Sequence, residues 1–258
     1  MSDRFYEPGQ RRAARVLDLF AAVAPRYDLI NDLQSFGLHR CWKRRFIRLA
    51  GVQPRDRVLD LCCGTGDITF ALARRCTRVT GLDFSAPMLA MAQARRARLS
   101  SAAGASLNPQ FLRGDALKLP FLDGHFDVVT IAYGLRNLAS FESGLREMWR
   151  VTRPGGTLLV LDFGKPVNPI WRSVYLSYLK GVVPLFGRIF CGNAATHAYI
   201  LESLEHYPAQ DGVARALRQM NCQAIRSIQL LGGAMSIHCG TKGRSATRSP
   251  GSSPDASG

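Results

Sequence analysis

Between residues 57 and 162 the apolar positions come in short bursts separated by segments of helical spacing. The bursts at 57–61, 78–82, 110–113, 126–132 and 156–162 have strand length, and most are rich in Val, Leu and Phe, which predicts five strands. Segments 67–76, 86–99 and 140–151 lie between them and predict helices. Ser85 is placed to cap the second of these, with Pro87 in its first turn. Arg153-Pro154-Gly155-Gly156 stops the third and turns the chain into the strand TLLVLDF. Such alternation implies parallel strands with helices on both faces of an α/β sheet.

The flanks follow other rhythms. Val16, Leu17, Phe20 and Val23 predict a helix over 11–24 that ends at Pro25, and 40–50 predicts another, so 1–50 reads as an N-terminal helical cap. Residues 165–206 form a long helical insertion with Trp171, Tyr175, Tyr178, Leu185, Phe186 and Tyr199 on a greasy face. That face suits either a lid over an apolar groove or ordinary packing on the sheet. A helix near 209–220 precedes strands at 222–230 and 233–240, joined through Gly232-Gly233 and too close in sequence to be anything but an antiparallel hairpin. The main domain therefore spans 51–241, with seven strands, and 242–258 is a Gly-, Ser- and Arg-rich tail without core signal, expected to be disordered.

The 258 residues are 47% hydrophobic and 21% charged, ordinary for a globular protein, but the net charge is +15. Nucleic acid, an anionic membrane surface or a generally arginine-rich composition would each account for it. No recognisable RNA-binding module occurs, which disfavours nucleic acid. Arg40, Lys43, Arg44, Arg45 and Arg48, interleaved with Trp42 and Phe46, read as a helix with one cationic side. No secretory signal is visible, and the most apolar stretch, 174–190, is broken by Lys180, Pro184 and Arg188. The seven cysteines are odd in number and lack paired C-x-x-C clusters, and the five histidines stand in no ligand spacing, so reduced thiols and no metal are expected. The reading is a cytoplasmic protein, peripheral at most to the inner face of a membrane, with a homodimer left open.

The chemistry gathers around VLDLCCGTGD, residues 58–67. A strand ends on Asp60, a turn at Gly64 and Gly66 lets backbone N–H groups approach a ligand, and the next strand ends on Asp83, placed for ribose hydroxyls. The spacing is neither that of a dinucleotide binder nor of a P-loop. Gly114-Asp115-Ala116 follows the third strand and reads as an adenine contact; Ala132-Tyr133-Gly134-Leu135-Arg136-Asn137 follows the fourth, near the reacting group. D-x-x-x-G-x-G followed by strand and acid resembles the class I S-adenosylmethionine-dependent methyltransferases. The resemblance implies a Rossmann-like, seven-stranded, mostly parallel sheet with an antiparallel terminal hairpin. It places Asp60, Gly64, Thr65 and Gly66 around the methionine end of the cofactor, with Asp60 facing its ammonium. It also puts Phe84 and Met88 over the adenine.

More specifically, APRYD at 24–28, N-x-x-x-S-x-G at 31–37, GLDFS at 81–85, GDA-x-x-LPF at 114–121, GLRN at 134–137 and GG-x-x-x-IH-x-G-x-K at 232–242 resemble the ubiquinone/menaquinone biosynthesis C-methyltransferases. That family implies S-adenosylmethionine as methyl donor and a reduced prenylated quinol as substrate, methylated at a ring carbon. Cofactor contacts carry over to Thr65, Asp83, Asp115, Ala116 and Ala132, where some members have serine. Cys62-Cys63, Asp162-Phe163-Gly164 (usually Glu-Phe-Ser) and His197 (commonly tyrosine) depart from the family pattern. The double cysteine favours demethylmenaquinol over a methoxy-polyprenyl-benzoquinol; a natural-product C-methyltransferase on the same scaffold is the other reading. Arg136 and Asn137 are expected at the substrate oxygen, Arg136 stabilising a phenolate because it stays protonated. A water held by Asn137, Asp115 or Tyr27 is expected to take the proton.

Overall fold

A computed structural model describes residues 27–102, 107–185 and 195–244. Seven strands form one sheet: β1 (Arg57–Leu61), β2 (Arg78–Asp83), β3 (Gln110–Arg113), β4 (Phe126–Ala132), β5 (Thr152–Phe163), β6 (Cys222–Leu230) and β7 (Met235–Lys242), in the order β3-β2-β1-β4-β5-β7-β6. All neighbours pair parallel except β7, which is antiparallel to both β5 and β6. The expected hairpin is present, with β7 pushed in against β5 and β6 left at the edge. β1 and β4 are almost wholly buried because helices cover both faces, which is why they read as continuous apolar runs. β5 starts four residues before its apolar run, its pairing with β4 shifting register between Phe126 and Val128.

Helices α1 (Tyr27–Gln34) and α2 (Leu38–Leu49) precede the sheet, α3 (Asp67–Ala73) and α4 (Ala86–Ala102) link β1 to β3, and α5 (Phe141–Val151) links β4 to β5. The helix expected over 11–24 and the tail beyond 244 lie outside the described residues. α5 shows how spacing becomes packing: Ser140 caps it by accepting from the Ser143 N–H at 3.1 Å, and Leu145, Met148 and Val151 are fully buried on one stripe. Its last carbonyls are met by the Lys242 ammonium, 2.7 Å from the oxygen of Trp149 and 2.8 Å from that of Thr152.

The insertion after β5 contains α6 (Pro169–Ser177), a π-helical turn over Tyr178–Val182 and α7 (Ala195–His206), followed by α8 (Ala209–Gln219). Asn168 caps α6 by accepting from the N–H groups of Ile170 and Trp171. Tyr175, Leu179, Val183, Leu204 and Tyr207 are buried in the same apolar cluster as Leu145 and Met148, so this side of the insertion is ordinary core. Its entry is pinned: Gln210 accepts from the Lys165 N–H and donates to the Lys165 carbonyl, and Gly164 has the Gly233 carbonyl where a Cβ would stand. His238 of the IH-x-G-x-K stretch is buried behind that hinge, 3.0 Å from the Gln210 carbonyl, and burial holds its imidazole down at about 4. At the far end Tyr178 donates to the Gln34 carbonyl at 2.6 Å and its ring lies 6.2 Å from that of Phe36, so the insertion meets the N-terminal helices.

Candidate active site

The strand order reverses between β1 and β4, and their carboxyl ends open the crevice where ligands bind in such sheets. Two loops line it. After β1, Cys62, Gly64 and Gly66 all have positive φ (52°, 54° and 83°). The two glycines do different work. A Cβ on Gly64 would meet nothing within 4 Å, whereas one on Gly66 would stand 2.9 Å from the rings of Phe70 and Phe111. Gly64 therefore leaves its face of the loop open, and Gly66 packs helix against strand.

Asp60 holds this loop from below. It is 1% exposed, and its two oxygens accept from Thr69 Oγ1 at 2.6 Å and Thr130 Oγ1 at 2.9 Å. A buried carboxylate requires donors, and two hydroxyls are built into α3 and β4 for it; each oxygen keeps a second lone pair, so these bonds leave the expected contact with an ammonium open. Asp83, at the end of β2, accepts from the N–H of Gly64 and of Ser85, each at 2.8 Å, tying the glycine loop to the start of α4. Ser85 caps α4 as expected, though at a long 3.5 Å. The Gly114 N–H donates to the Asp83 carbonyl, bringing Gly114-Asp115-Ala116 beside it; Asp115 is exposed and accepts from the Leu117 N–H. Thr65, Ala116 and Met88 are buried and Phe84 is 45% exposed.

The second loop leaves β4 through Ala132 and Tyr133. Tyr133 has φ 59°, unusual for a bulky residue, and such strain persists only where its surroundings enforce it. Here they are identifiable. Arg136 Nη1 and Asn137 Nδ2 both donate to the Tyr133 carbonyl, at 2.7 and 3.1 Å, inside the single turn Leu135–Asn137. A Cβ on Gly134 would stand 2.4 Å from the Cys62 Cβ, so the two loops touch at this point. Arg136 is 6% exposed; its N–H donates to Asp162 Oδ2 at 3.0 Å, its Nη1 lies 3.5 Å from Asp162 Oδ1, and its guanidinium sits 4.5 Å over the Phe163 ring. The structure thus brings Arg136 and Asn137 to the crevice but gives them a turn to hold. Tyr27 opens α1, and its side chain lies outside the described residues.

Several residues of this site escaped the sequence reading. Thr130, a polar residue between Val129 and Ile131 in the middle of a buried strand, was a legible signal for a buried partner. Asp162 is a third acid near a strand end, the same signal as Asp60 and Asp83. Lys43 carried one in its helical spacing, three and four residues before Phe46 and Ile47 and so on the same buried stripe, unlike its arginine neighbours.

Burial dominates the electrostatics. It pushes Asp60 up to about 6, against the Thr69 and Thr130 hydroxyls, and raises Asp83 and Asp162. It also raises the Cys62 and Cys63 thiols well above the ordinary range, with Asp83 adding to both, so neither is a thiolate nucleophile. An acid whose folded pKa is raised binds more protons folded than unfolded, so its contribution to stability is full below about pH 4 and lost as pH rises through about 6. Asp60→Asn is therefore expected to flatten the fall of unfolding free energy between pH 4 and 7, measured in urea. An unchanged slope in the variant would mean Asp60 titrates normally.

Comparison with known proteins agrees with this geometry. The family model of the ubiE/COQ5 methyltransferase family matches residues 9–242. The ubiquinone/menaquinone biosynthesis C-methyltransferase UbiE of Ectopseudomonas mendocina is 41% identical over 242 residues, covering 91% of each chain. Its counterpart from Azotobacter vinelandii is 40% identical over 238 residues, covering 91% of this chain and 92% of its own. In fold, a putative S-adenosylmethionine-dependent methyltransferase from Methanococcus maripaludis superposes with a TM-score of 0.58 at 18% identity, over 87% of this chain and 94% of its own. The glycine loop, the strand-end acids and the reversed strand order therefore have one common explanation, and the chain belongs to the ubiE/COQ5 methyltransferase family.

Proposed function

We propose that this protein transfers a methyl group from S-adenosylmethionine to a ring carbon of a reduced prenylated quinol in quinone biosynthesis, with demethylmenaquinol as the acceptor. The observation that carries the reading is the open face of Gly64 beside Asp83, at the contact of the two crevice loops. Asp60, Gly64, Thr65, Gly66, Asp83, Phe84, Asp115, Ala116 and Ala132 hold the cofactor, with Asp60 and Gly66 also keeping the loop in shape. Bound there, S-adenosylmethionine supplies an electrophilic methyl on a sulfonium.

A quinol carbon becomes a nucleophile when the neighbouring hydroxyl loses its proton and charge reaches the ortho position. The chain's part is to orient the ring, take one proton and exclude water. Arg136 places a fixed positive charge under loop 132–137, which favours the phenolate, and Asn137 stands beside it. A water held by Asn137, Asp115 or Tyr27 takes the proton.

The substrate's tail makes a bilayer the natural place to meet it. Among the described residues no helix is long and apolar enough to cross a membrane. Ile170 and Val174, one turn apart on α6, are 76% and 52% exposed, and Phe36, beside Tyr178, is 76% exposed; Arg40, Arg44 and Lys180 are exposed nearby in the sequence. Exposed apolar side chains with exposed cations close to them in the sequence suit an anionic membrane surface.

The decisive experiment offers the purified protein labelled S-adenosylmethionine with each demethylated quinol in turn. Label in the naphthoquinol supports the reading, label in the benzoquinol alone moves it to the other branch, and none in either removes it. For the cofactor, Asp83→Ala is expected to weaken S-adenosylmethionine binding by about 1.5–3 kcal/mol, the worth of a charged hydrogen-bond partner. Calorimetric titration checks this, and unchanged affinity in a folded variant would end the ribose assignment.

A further inference from the structure

The basic residues of α2 do not share one side. Arg40, Arg44, Arg45 and Arg48 are exposed, but Lys43 is 9% exposed and points inward with Phe46 and Ile47. Its ammonium is 2.7 Å from Asp67 Oδ2 and 6.0 Å from the centre of the Tyr133 ring. Asp67 is the first residue of α3, directly after Gly66, and its other oxygen accepts from Arg95 Nη2 at 3.3 Å. Arg95 in turn lies 5.2 Å over the ring of Phe70, one of the two rings packed against Gly66. Burial raises Asp67, but Lys43 and Arg95 outweigh it and hold the carboxyl below the usual range.

One buried ammonium thus joins the N-terminal helices to both loops of the crevice: the glycine loop through Asp67, and the loop after β4 through Tyr133. Holding a charge in so covered a place is costly unless it is paired. Apolar packing by Phe46, which is fully buried, already seats α2 on the sheet, so adhesion alone does not call for a lysine there. We infer that Lys43 is a positioning residue for methyl transfer: it fixes the glycine loop and the loop after β4 in one arrangement, and only while the N-terminal helices are seated. This rests on the reading that S-adenosylmethionine binds against the glycine loop.

The test is calorimetric titration with S-adenosylmethionine and with S-adenosylhomocysteine, beside thermal unfolding. Lys43→Met keeps the apolar stem and removes the charge, and is expected to weaken both ligands about tenfold. Lys43→Arg, which keeps charge and reach, is expected to recover most of that. Arg48→Met, an equal loss of charge from the exposed side of the same helix, should change neither. Should Lys43→Met fail to fold, Lys43→Gln, which keeps a neutral donor, is read in its place. A folded Lys43 variant with unchanged affinity but a lowered melting temperature would make the lysine merely structural and overturn the inference, as would equal weakening by Arg48→Met. Failure of the unaltered protein to bind either ligand would instead overturn the cofactor reading on which it rests.

Discussion

Arg136→Ala is expected to lower kcat by about 10²–10³-fold, the cost of removing one preorganised electrostatic group from an oxyanion site, while cofactor affinity stays intact. Its benefit grows as the phenolate forms, so kcat should fall more than KM rises. The same substitution should cost stability. Arg136 and Asp162 are 6% and 1% exposed, and breaking a buried pair leaves an uncompensated charge, worth about 3–5 kcal/mol. The lower end applies here, because Asp162 keeps the N–H groups of Arg136 and Phe163 after the guanidinium has gone. Burial already raises the Asp162 pKa against the pull of Arg136; without the guanidinium it rises further. The stability deficit should therefore be large at neutral pH and shrink as pH falls and Asp162 takes a proton. Lysine at 136 should restore part of both losses, since it keeps the charge but loses the planar guanidinium that carries Nη1 between the Tyr133 carbonyl and Asp162 and lies over the Phe163 ring. Activity and thermal unfolding, followed across pH, separate the two effects. Near-normal kcat in a folded Arg136→Ala protein would make Arg136 an anchor for Tyr133 and nothing more.

The substrate's oxidation state should matter even more. A quinol has the hydroxyl whose deprotonation turns the ring carbon into a nucleophile; the oxidised quinone lacks it and is itself an electrophile. Turnover is expected with chemically reduced substrate and essentially none with the quinone under strictly oxidising conditions, read as methylated product from labelled S-adenosylmethionine. None of Cys62, Cys63, Cys76 or Cys222, whose thiols burial raises above the ordinary range, offers a ready thiolate to reduce a quinone in place. Equal rates with both forms would sink the proposed activation.

Legibility in the sequence followed the range of the interaction. The strands, the glycine loop and the acids at their ends were readable because strand length, turn residues and apolar runs are local properties, visible within a few neighbours. Five of the seven strands begin at the expected residue; β5 begins four residues early, and β7 two residues late. Those two belong where pairing partners decide the boundary: β5 lengthens through a register shift against β4, and β7 is set by β5 on one side and β6 on the other.

The site divided along the same line. That Gly64 and Asp83 belong to one site was legible, since a turn glycine and a strand-end acid each announce themselves. Which glycine faces open space depended on Phe70 and Phe111, the second of these forty-five residues away. Arg136 and Asn137 were found as donors but not as the pair that holds Tyr133 at positive φ. Lys43 and Arg44 are neighbours of the same charge, yet one is buried on Asp67 and the other faces solvent. By itself the sequence determined the strands, the sheet's class and the loops that line the crevice. Only the tertiary structure decided which polar groups are consumed within the protein and which stay available to a ligand. A buried carboxylate or ammonium must find its partner wherever packing brings one, and sequence distance does not encode that.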